Sequence, residues 1–325
     1  MKSRIDFGLS STKPIRISLL NILLVLAGLT FNSRGQILTN FWSFTGGGDG
    51  SNPVDLVQGG DGNFYGVTYL GGASNINISG GQGSGTVFRI SPSGNFTNLH
   101  FFNGSDGGNP GAGLLRGRDG NFYGTTLYGG ESGNGIVFRI SPNGSFTNLH
   151  SFNGGGGANP YAGLVEGSPS NFYGTTAYGG NTNLNFGDGY GTVFRISPGV
   201  GFTNLYSFRG NDGDGPFAGL VEGNDGNFYG TTVAGGASTN CLGGCGTVFR
   251  IGSSGNLTSL YSFTGGSDGA NPWARLVQGS DGNFYGTTVS GGDGGSGVVF
   301  RISPSGNFTN LHSFSGPDGA NPFAG

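Results

Sequence analysis

Residues 225–232 read Asp-Gly-Asn-Phe-Tyr-Gly-Thr-Thr, and residues 246–251 read Gly-Thr-Val-Phe-Arg-Ile. Both strings recur along the chain. The Asn-Phe-Tyr-Gly segment begins at Asn63, Asn121, Asn171, Asn227 and Asn283. The copies lie roughly 50 to 58 residues apart, and such a period is typical of one supersecondary unit copied in tandem. The fold therefore depends on what one copy forms and on how the copies pack.

One copy predicts four short antiparallel strands. In the copy at 111–152, an apolar run at 112–117 precedes an Asp-Gly pair, which tolerates the positive φ of a tight hairpin. Residues 121–126 and 136–140 are rich in aromatic and β-branched residues, and residues 145–152 alternate polar and apolar. Four antiparallel strands in about 50 residues are typical of a β-propeller blade.

The sequence thus predicts an all-β protein, a β-propeller-like array of five four-stranded antiparallel blades. The copies are expected near 54–102, 111–152, 161–208, 217–263 and 273–314. A β-solenoid is the alternative, although its rungs are usually shorter. The loop after the second strand varies most in length and should share one face with the linkers between copies. Variable loops on one face of a rigid scaffold are a usual place for binding.

A partial copy precedes the first blade. Residues 39–44 match a fourth strand that has no first three strands, and residues 321–325 match the lead-in to a first strand at 159–163. We expect an orphan N-terminal strand beside the five blades. We interpret the chain as truncated from a longer reading frame that would complete a blade. A closed five-bladed ring with the orphan strand as an extra edge is the alternative.

Residues 1–35 are interpreted as a signal peptide. Basic residues precede an apolar run at 17–31, and Ser33 and Gly35 are small residues suited to a cleavage site. The run is short for a membrane span, and an uncleaved anchor is the alternative. We therefore expect an exported protein, extracellular or associated with the cell surface. Its mature repeat domain at 36–325 should have no transmembrane segment.

Charge and composition narrow the class of partner. After residue 35 the chain holds nine basic and sixteen acidic residues and no lysine. Nucleic-acid binding needs a basic footprint, so a nucleic-acid partner is not expected. Glycine supplies 74 of 325 residues, but an aromatic content of 13% argues against a flexible linker. The expected partner is a glycan or a cell-surface protein.

The repeat pattern resembles a known family. The double glycine after the second strand resembles kelch blades, although the kelch tryptophan is missing. The pattern Asp-Gly-Asn-Phe-Tyr-Gly-Thr-Thr…Gly-Gly…Gly-Thr-Val-Phe-Arg-Ile, as at 225–251, is similar to the bacterial choice-of-anchor GloVer-type tandem repeat. That resemblance covers nearly the whole mature chain. It implies an exported, surface-associated repeat protein and assigns it no activity.

One charged position is present in all five copies. It is interpreted as structural, because a buried guanidinium needs partners, although a ring of arginines could also bind an acidic glycan. The residues are Arg89, Arg139, Arg195, Arg250 and Arg301. Cys241 and Cys245 are expected to form a small disulfide, with free thiols as the alternative.

Other polar residues also fall on repeated positions. His100, His150 and His312 share one position of the fourth strand with Tyr206 and Tyr261, so this position is interpreted as a packing position. The aspartates of the Asp-Gly hairpins are interpreted as turn residues, because copy three has Pro-Ser there. No cofactor is expected. Residues 211–215 are the candidate calcium site, although they lack the downstream glutamate of an EF-hand loop.

We expect a non-enzymatic interaction module with no catalytic residues. The second hypothesis is a carbohydrate-active propeller enzyme, a glycoside hydrolase or lyase. Such an enzyme needs paired carboxylates about 5 to 10 Å apart. Glu131, Asp188 and Asp293 lie outside the repeated positions and are the candidates for that pair.

Overall fold

The computed structural model describes residues 40–72 and 83–323. The predicted signal peptide lies outside these residues. Within them the chain forms five four-stranded antiparallel sheets, each with its strands in chain order. These sheets confirm the predicted all-β array of five blades. No helix in the described part of the chain is long and apolar enough to cross a bilayer.

The twenty strands are short and follow one another blade by blade. Blade one contains β1 (Ser51–Gln58), β2 (Phe64–Leu70), β3 (Thr86–Ile90) and β4 (Phe96–Phe101). Blade two contains β5 (Leu115–Arg116), β6 (Phe122–Thr126), β7 (Ile136–Ile140) and β8 (Phe146–Ser151). Blade three contains β9 (Val165–Gly167), β10 (Asn171–Thr176), β11 (Thr192–Ser197) and β12 (Gly201–Ser207). Blade four contains β13 (Val221–Glu222), β14 (Phe228–Thr232), β15 (Thr247–Ile251) and β16 (Leu257–Ser262). Blade five contains β17 (Val277–Gln278), β18 (Phe284–Thr288), β19 (Val298–Ile302) and β20 (Phe308–Ser313).

The glycine of Asn-Phe-Tyr-Gly is required by packing inside the blade. In blade two, Gly124 pairs across the ladder with Phe138. A Cβ on Gly124 would lie 2.5 Å from Phe138 Cζ and 3.0 Å from Leu114 Cδ2. The phenylalanine ring therefore lies directly over the strand, which explains why this landmark recurs in every copy.

The core lies between the blades. Four clusters of buried residues join blade one to two, two to three, three to four, and four to five. At each junction the tyrosine of one second strand stacks on the phenylalanine of the next. The ring pairs are Tyr65–Phe122 at 4.0 Å, Tyr123–Phe172 at 3.8 Å, Tyr173–Phe228 at 4.0 Å and Tyr229–Phe284 at 3.9 Å. Every interface therefore uses the same contact, and no blade buries both of its faces alone.

Two predicted strands differ in the structure. The run at 112–117 forms only the two-residue strand β5, because the segment before it packs against the neighbouring blade. A Cβ on Gly163 of blade three would lie 3.6 Å from Ala112 Cβ. The orphan N-terminal strand is wrong as a strand, since residues 40–44 form no ladder. Trp42 nevertheless stacks on Phe96 at 4.6 Å, where a fourth-strand ring would lie.

Candidate binding face

The linkers between blades and the loops after the second strands lie together, as the sequence predicts. Between blades one and two, Gly108 of the linker forms an antiparallel bridge with Tyr128. Gly130 N also donates to Gly104 O at 2.8 Å. We call this side of the array the linker face.

An asparagine before the proline holds most of the linkers in place, and Gly215, with a φ of +63°, takes this position in the linker before Phe217. Asn159 adopts a φ of +54°, and its side-chain amide donates to Leu127 O at 2.8 Å. Asn271 has a φ of +58° and donates to Val233 O at 2.9 Å. Asparagine tolerates this left-handed conformation, and the proline that follows restricts the next φ. The residue after the proline is therefore presented on the linker face in a defined position.

Seven aromatic residues form a cluster on the linker face, which we call the aromatic belt. Four follow a proline at the start of a copy, and three lie at the end of a second strand. They are Tyr69, Tyr128, Tyr161, Tyr178, Phe217, Trp273 and Phe323. Phe217 lies at the centre, with its ring centroid 4.7 Å from Trp273, 4.9 Å from Tyr161 and 5.9 Å from Tyr178. These ring contacts link the part of the belt that belongs to blades three to five.

The belt is partly exposed, unlike the aromatic residues of the blade interfaces. Tyr178 is 38%, Trp273 36% and Phe323 65% exposed, whereas Tyr65 and Tyr229 are fully buried. The residue after the linker proline also differs: it is Gly, Tyr, Phe and Trp in copies two to five, and Phe in the segment after blade five. Blade packing therefore does not specify this residue type. A contiguous exposed aromatic surface of this kind is typical of a binding site.

Polar groups lie beside the belt. Burial raises the pKa of Asp214 to about 6. The pKa of Tyr178 is raised by burial and then by the carboxylates of Asp214 and Asp188. A cavity of about 470 Å³ lies here, lined by Asn134, Asn159, Tyr178 and Asp188 among others. The part of the belt around Tyr178 therefore combines an exposed ring with hydrogen-bonding groups.

Arg275 is a cation two residues after Trp273 of the belt. Arg275 stands where copies two to four have Gly113, Gly163 and Gly219. Its Cδ lies near the backbone of Gly219, in space that a larger side chain would restrict. Trp273 and Arg275 are both exposed and alternate with buried residues. Desolvation by the surrounding protein lowers the pKa of Arg275. Trp273 and Arg275 are thus two accessible side chains at the start of copy five.

The repeated arginines have partners within their own blades. Arg139 Nη2 donates to Thr147 Oγ1 at 3.3 Å, and Arg301 Nη2 donates to Thr309 Oγ1 at 3.3 Å. Arg139 also pairs across the ladder with Tyr123. The structural role of this position stays a prediction.

The histidine position of the fourth strand contacts both the following linker and the next blade. His100 Nε2 lies 3.1 Å from Asp106 Oδ2 of the following linker, and its ring stacks on Phe146 of the next blade at 3.9 Å. Tyr261 takes the same position in blade four, and its hydroxyl also contacts the carboxylate of the following linker, donating to Asp268 Oδ2 at 2.9 Å. These contacts support the packing interpretation.

The linker that follows blade two lacks this carboxylate. Gly156 replaces the aspartate, although His150 still stacks on Phe202 at 3.7 Å. His150 Nε2 is buried without a hydrogen-bond partner. Burial accordingly lowers the pKa of His150 to about 4.

The hairpin aspartates do more than shape a turn. Asp225 Oδ1 accepts from Asn227 N at 3.1 Å, and Asp225 Oδ2 accepts from Tyr229 hydroxyl at 2.8 Å. The turn therefore orients the tyrosine that stacks on the next blade.

The candidate calcium segment is occupied by internal contacts, because Asp212 accepts from Arg209 N at 2.8 Å and from the Tyr206 hydroxyl. The described residues hold no group of three His, Cys, Asp or Glu suited to a metal.

The remaining candidates lie in loops after second strands. Cys241 and Cys245 form a disulfide in blade four. Glu131, Asp188 and Asp293 are all exposed, in the loops of blades two, three and five respectively. Of these three, Asp188 is the one whose charge acts on a belt residue.

Sequence reasoning missed the belt and the asparagine contacts that position it. The sequence signal that could have revealed the belt is the position after the linker proline, because the residue type there varies between copies whereas the flanking residues repeat. Sequence reasoning relied instead on the invariant strings, whose side chains the structure buries between the blades.

The model of the Gloeobacter/Verrucomicrobia repeat matches residues 28–240 and 184–325. The chain belongs to this repeat family. No curated protein matches it. Among solved structures it is similar to virginiamycin B lyase from Staphylococcus aureus, with a TM-score of 0.54 and 17% identity over 85% of this chain and 74% of that one. A gluconolactonase from Xanthomonas campestris aligns over 80% of this chain and 75% of that one, with a TM-score of 0.45 and 10% identity. At these identities the likeness concerns the propeller-like fold alone.

Proposed function

We propose that this chain is an exported, non-enzymatic interaction module that binds carbohydrate through the aromatic belt. The observation that carries the proposal is the partly exposed array around Phe217, at positions that blade packing does not specify. Aromatic faces offer flat apolar surfaces to the C–H faces of sugar rings, and a few polar groups then fix orientation. The belt and its neighbouring Asn and Asp side chains offer both.

The dimensions favour an extended saccharide. The cavity beside Tyr178 lies within the range of about 300 to 1,000 Å³ usual for small-ligand sites. From there the belt continues through Phe217 to Trp273, so successive sugar units could stack on successive rings. Arg275 beside Trp273 favours a unit that carries a carboxylate at that end.

Export is supported by the cysteines. Disulfides persist in oxidising compartments and are rare in the cytosol. The Cys241–Cys245 bond therefore agrees with an extracellular or surface location.

Binding to immobilised polysaccharides tests the proposal, by affinity electrophoresis or a glycan array with neutral and uronate-containing chains. The double variant Phe217→Ala/Trp273→Ala should lose at least tenfold in affinity, which corresponds to about 1.4 kcal/mol. Leu311→Ala is the matched control, since Leu311 is 48% exposed on β20 and outside the belt. Equal binding by the double variant and the control would contradict the proposal, as would a failure to bind any glycan.

A carbohydrate-active enzyme is the second candidate, and Asp214 is the observation that favours it. A carboxyl with a pKa near 6 can serve as a general acid at neutral pH. Release of reducing ends from any polysaccharide, abolished in Asp214→Asn, would establish an enzyme and overturn the non-enzymatic proposal.

A further inference from the structure

We call the side of a blade whose second-strand tyrosine packs on the next blade its forward face, and the side whose second-strand phenylalanine packs on the preceding blade its rear face. The forward face of blade five has the same residues as the four covered forward faces, yet it is uncovered. Its tyrosine, Tyr285, is only partly buried, whereas the corresponding tyrosines of blades one to four are at most 1% exposed. Val299 and Phe314 are likewise partly exposed, although their counterparts in the other blades are fully buried. Val277 on β17 is 58% exposed. Blade five therefore presents the complete forward half of the repeated interface.

The rear face of blade one is open only in part. Leu56 is 54% exposed, whereas its counterparts Leu114 and Leu276 are 8% and 1% exposed. Phe64, the counterpart of the buried Phe122, is also only partly covered. The part of this face formed by its first two strands thus lacks the tyrosine and apolar side chains that a preceding blade would supply.

The part of the same face formed by the last two strands is already covered. Trp42 stacks on Phe96, and Phe44 packs edge-on against Phe88 with centroids 5.2 Å apart. Between blades one and two, His100 stacks on Phe146, and Phe102 packs edge-on against Phe138 at 5.3 Å. Residues 41–44 therefore take the place of the fourth strand of a preceding blade.

We infer that the forward face of blade five binds the first three strands of a further repeat of this same kind. Those strands, with residues 41–44 as their fourth strand, would form a sixth blade. The occupant must present a phenylalanine to Tyr285 and a tyrosine to Phe64, as every unit of this repeat does at the existing junctions. Blade five of a second copy is a poorer occupant of the rear face, because its own fourth strand would compete with Trp42 for Phe96.

The test extends the full chain after Gly325 with a second copy of its own residues 164–200, which hold the first three strands of copy three. Hydrogen–deuterium exchange should then slow at least tenfold in Phe284–Thr288 of blade five and in Phe64–Leu70 of blade one. The control extension carries serine in place of its copy of Phe172, the ring that should stack on Tyr285. It should give no protection at blade five.

Three outcomes would overturn the inference. The extension could leave exchange in both segments unchanged. It could protect blade five alone, which would mean that the array grows linearly without a sixth blade. Alternatively, the unextended chain could sediment as a dimer that Val299→Asp dissociates, which would make a second copy the occupant.

Discussion

Replacing Gly156 with aspartate should stabilise the protein at pH 5 and have little effect at pH 7.5. The linker after blade two is the one linker between blades that lacks this carboxylate, and the histidine of blade two, His150, is buried without a hydrogen-bond partner. Burial lowers the pKa of His150 from 6.5 to about 4. The unfolded chain therefore binds more protons than the folded one between these values, and stability falls as the pH falls from 6.5 toward 4.

The magnitude follows from the size of that shift. One pKa unit corresponds to about 1.4 kcal/mol, so lowering the pH from 7.5 to 5 would cost about 2 kcal/mol for a fully buried ring. The ring is only partly buried, and solvent screening reduces the cost to about 1 kcal/mol. Gly156→Asp supplies a carboxylate like that of Asp106 beside His100 and should recover this amount at pH 5. A Cβ at Gly156 would lie 3.2 Å from Phe202 Cε1, which requires a shift of a few tenths of an ångström.

Urea unfolding followed by circular dichroism at pH 7.5 and pH 5.0 measures the effect. His150→Phe is the control, because it keeps a ring against Phe202 and removes the titration. Its stability should change less between the two pH values than that of the parent chain. The reasoning is refuted if the parent and His150→Phe show the same pH dependence, or if Gly156→Asp gains nothing at pH 5.

Two further predictions concern packing and the disulfide. Gly174→Ala should lower the free energy of unfolding by about 1 to 3 kcal/mol, because its Cβ would lie 2.5 Å from Phe194 Cζ. Gly48→Ala is the control, because a Cβ on the exposed Gly48 meets no atom within 4 Å, and thermal melts should show no change in its stability. Reducing Cys241–Cys245 should add two daltons to the intact mass and cost at most about 2 kcal/mol, because the closed loop is short. A larger cost, or two free thiols in the untreated protein, would contradict this prediction.

The repeat made the blades predictable, because the same local signals recur in five copies. Asp-Gly pairs mark the first hairpin, and the aromatic and β-branched runs mark the second and third strands. The first strand of blade two was predicted too long for a physical reason. Residues near Ala112 are apolar because they pack against a neighbouring blade, and single-copy reasoning cannot tell such packing from pairing in a ladder. Residues 40–44 show the same limit, since Trp42 keeps the side-chain contacts of a strand without its ladder.

The candidate site was harder to predict than the fold. Phe217 and Trp273 come together through the linker geometry, which depends on a positive φ at residues such as Asn271 and on a hydrogen bond to a carbonyl 38 residues earlier. No local pattern reveals such a bond. The disulfide was accessible because both cysteines lie in one short loop.

The stack of tyrosine on phenylalanine gives the array a direction, since each unit offers tyrosine forward and phenylalanine behind. All four junctions therefore use the same ring pair, so one repeat unit can pack between any two others. Unequal recombination between copies could lengthen or shorten such a gene without redesigning its interior. Loss of residues 171–226, for example, would set Tyr123 against Phe228 where Phe172 now lies, and the junction would keep the same ring pair.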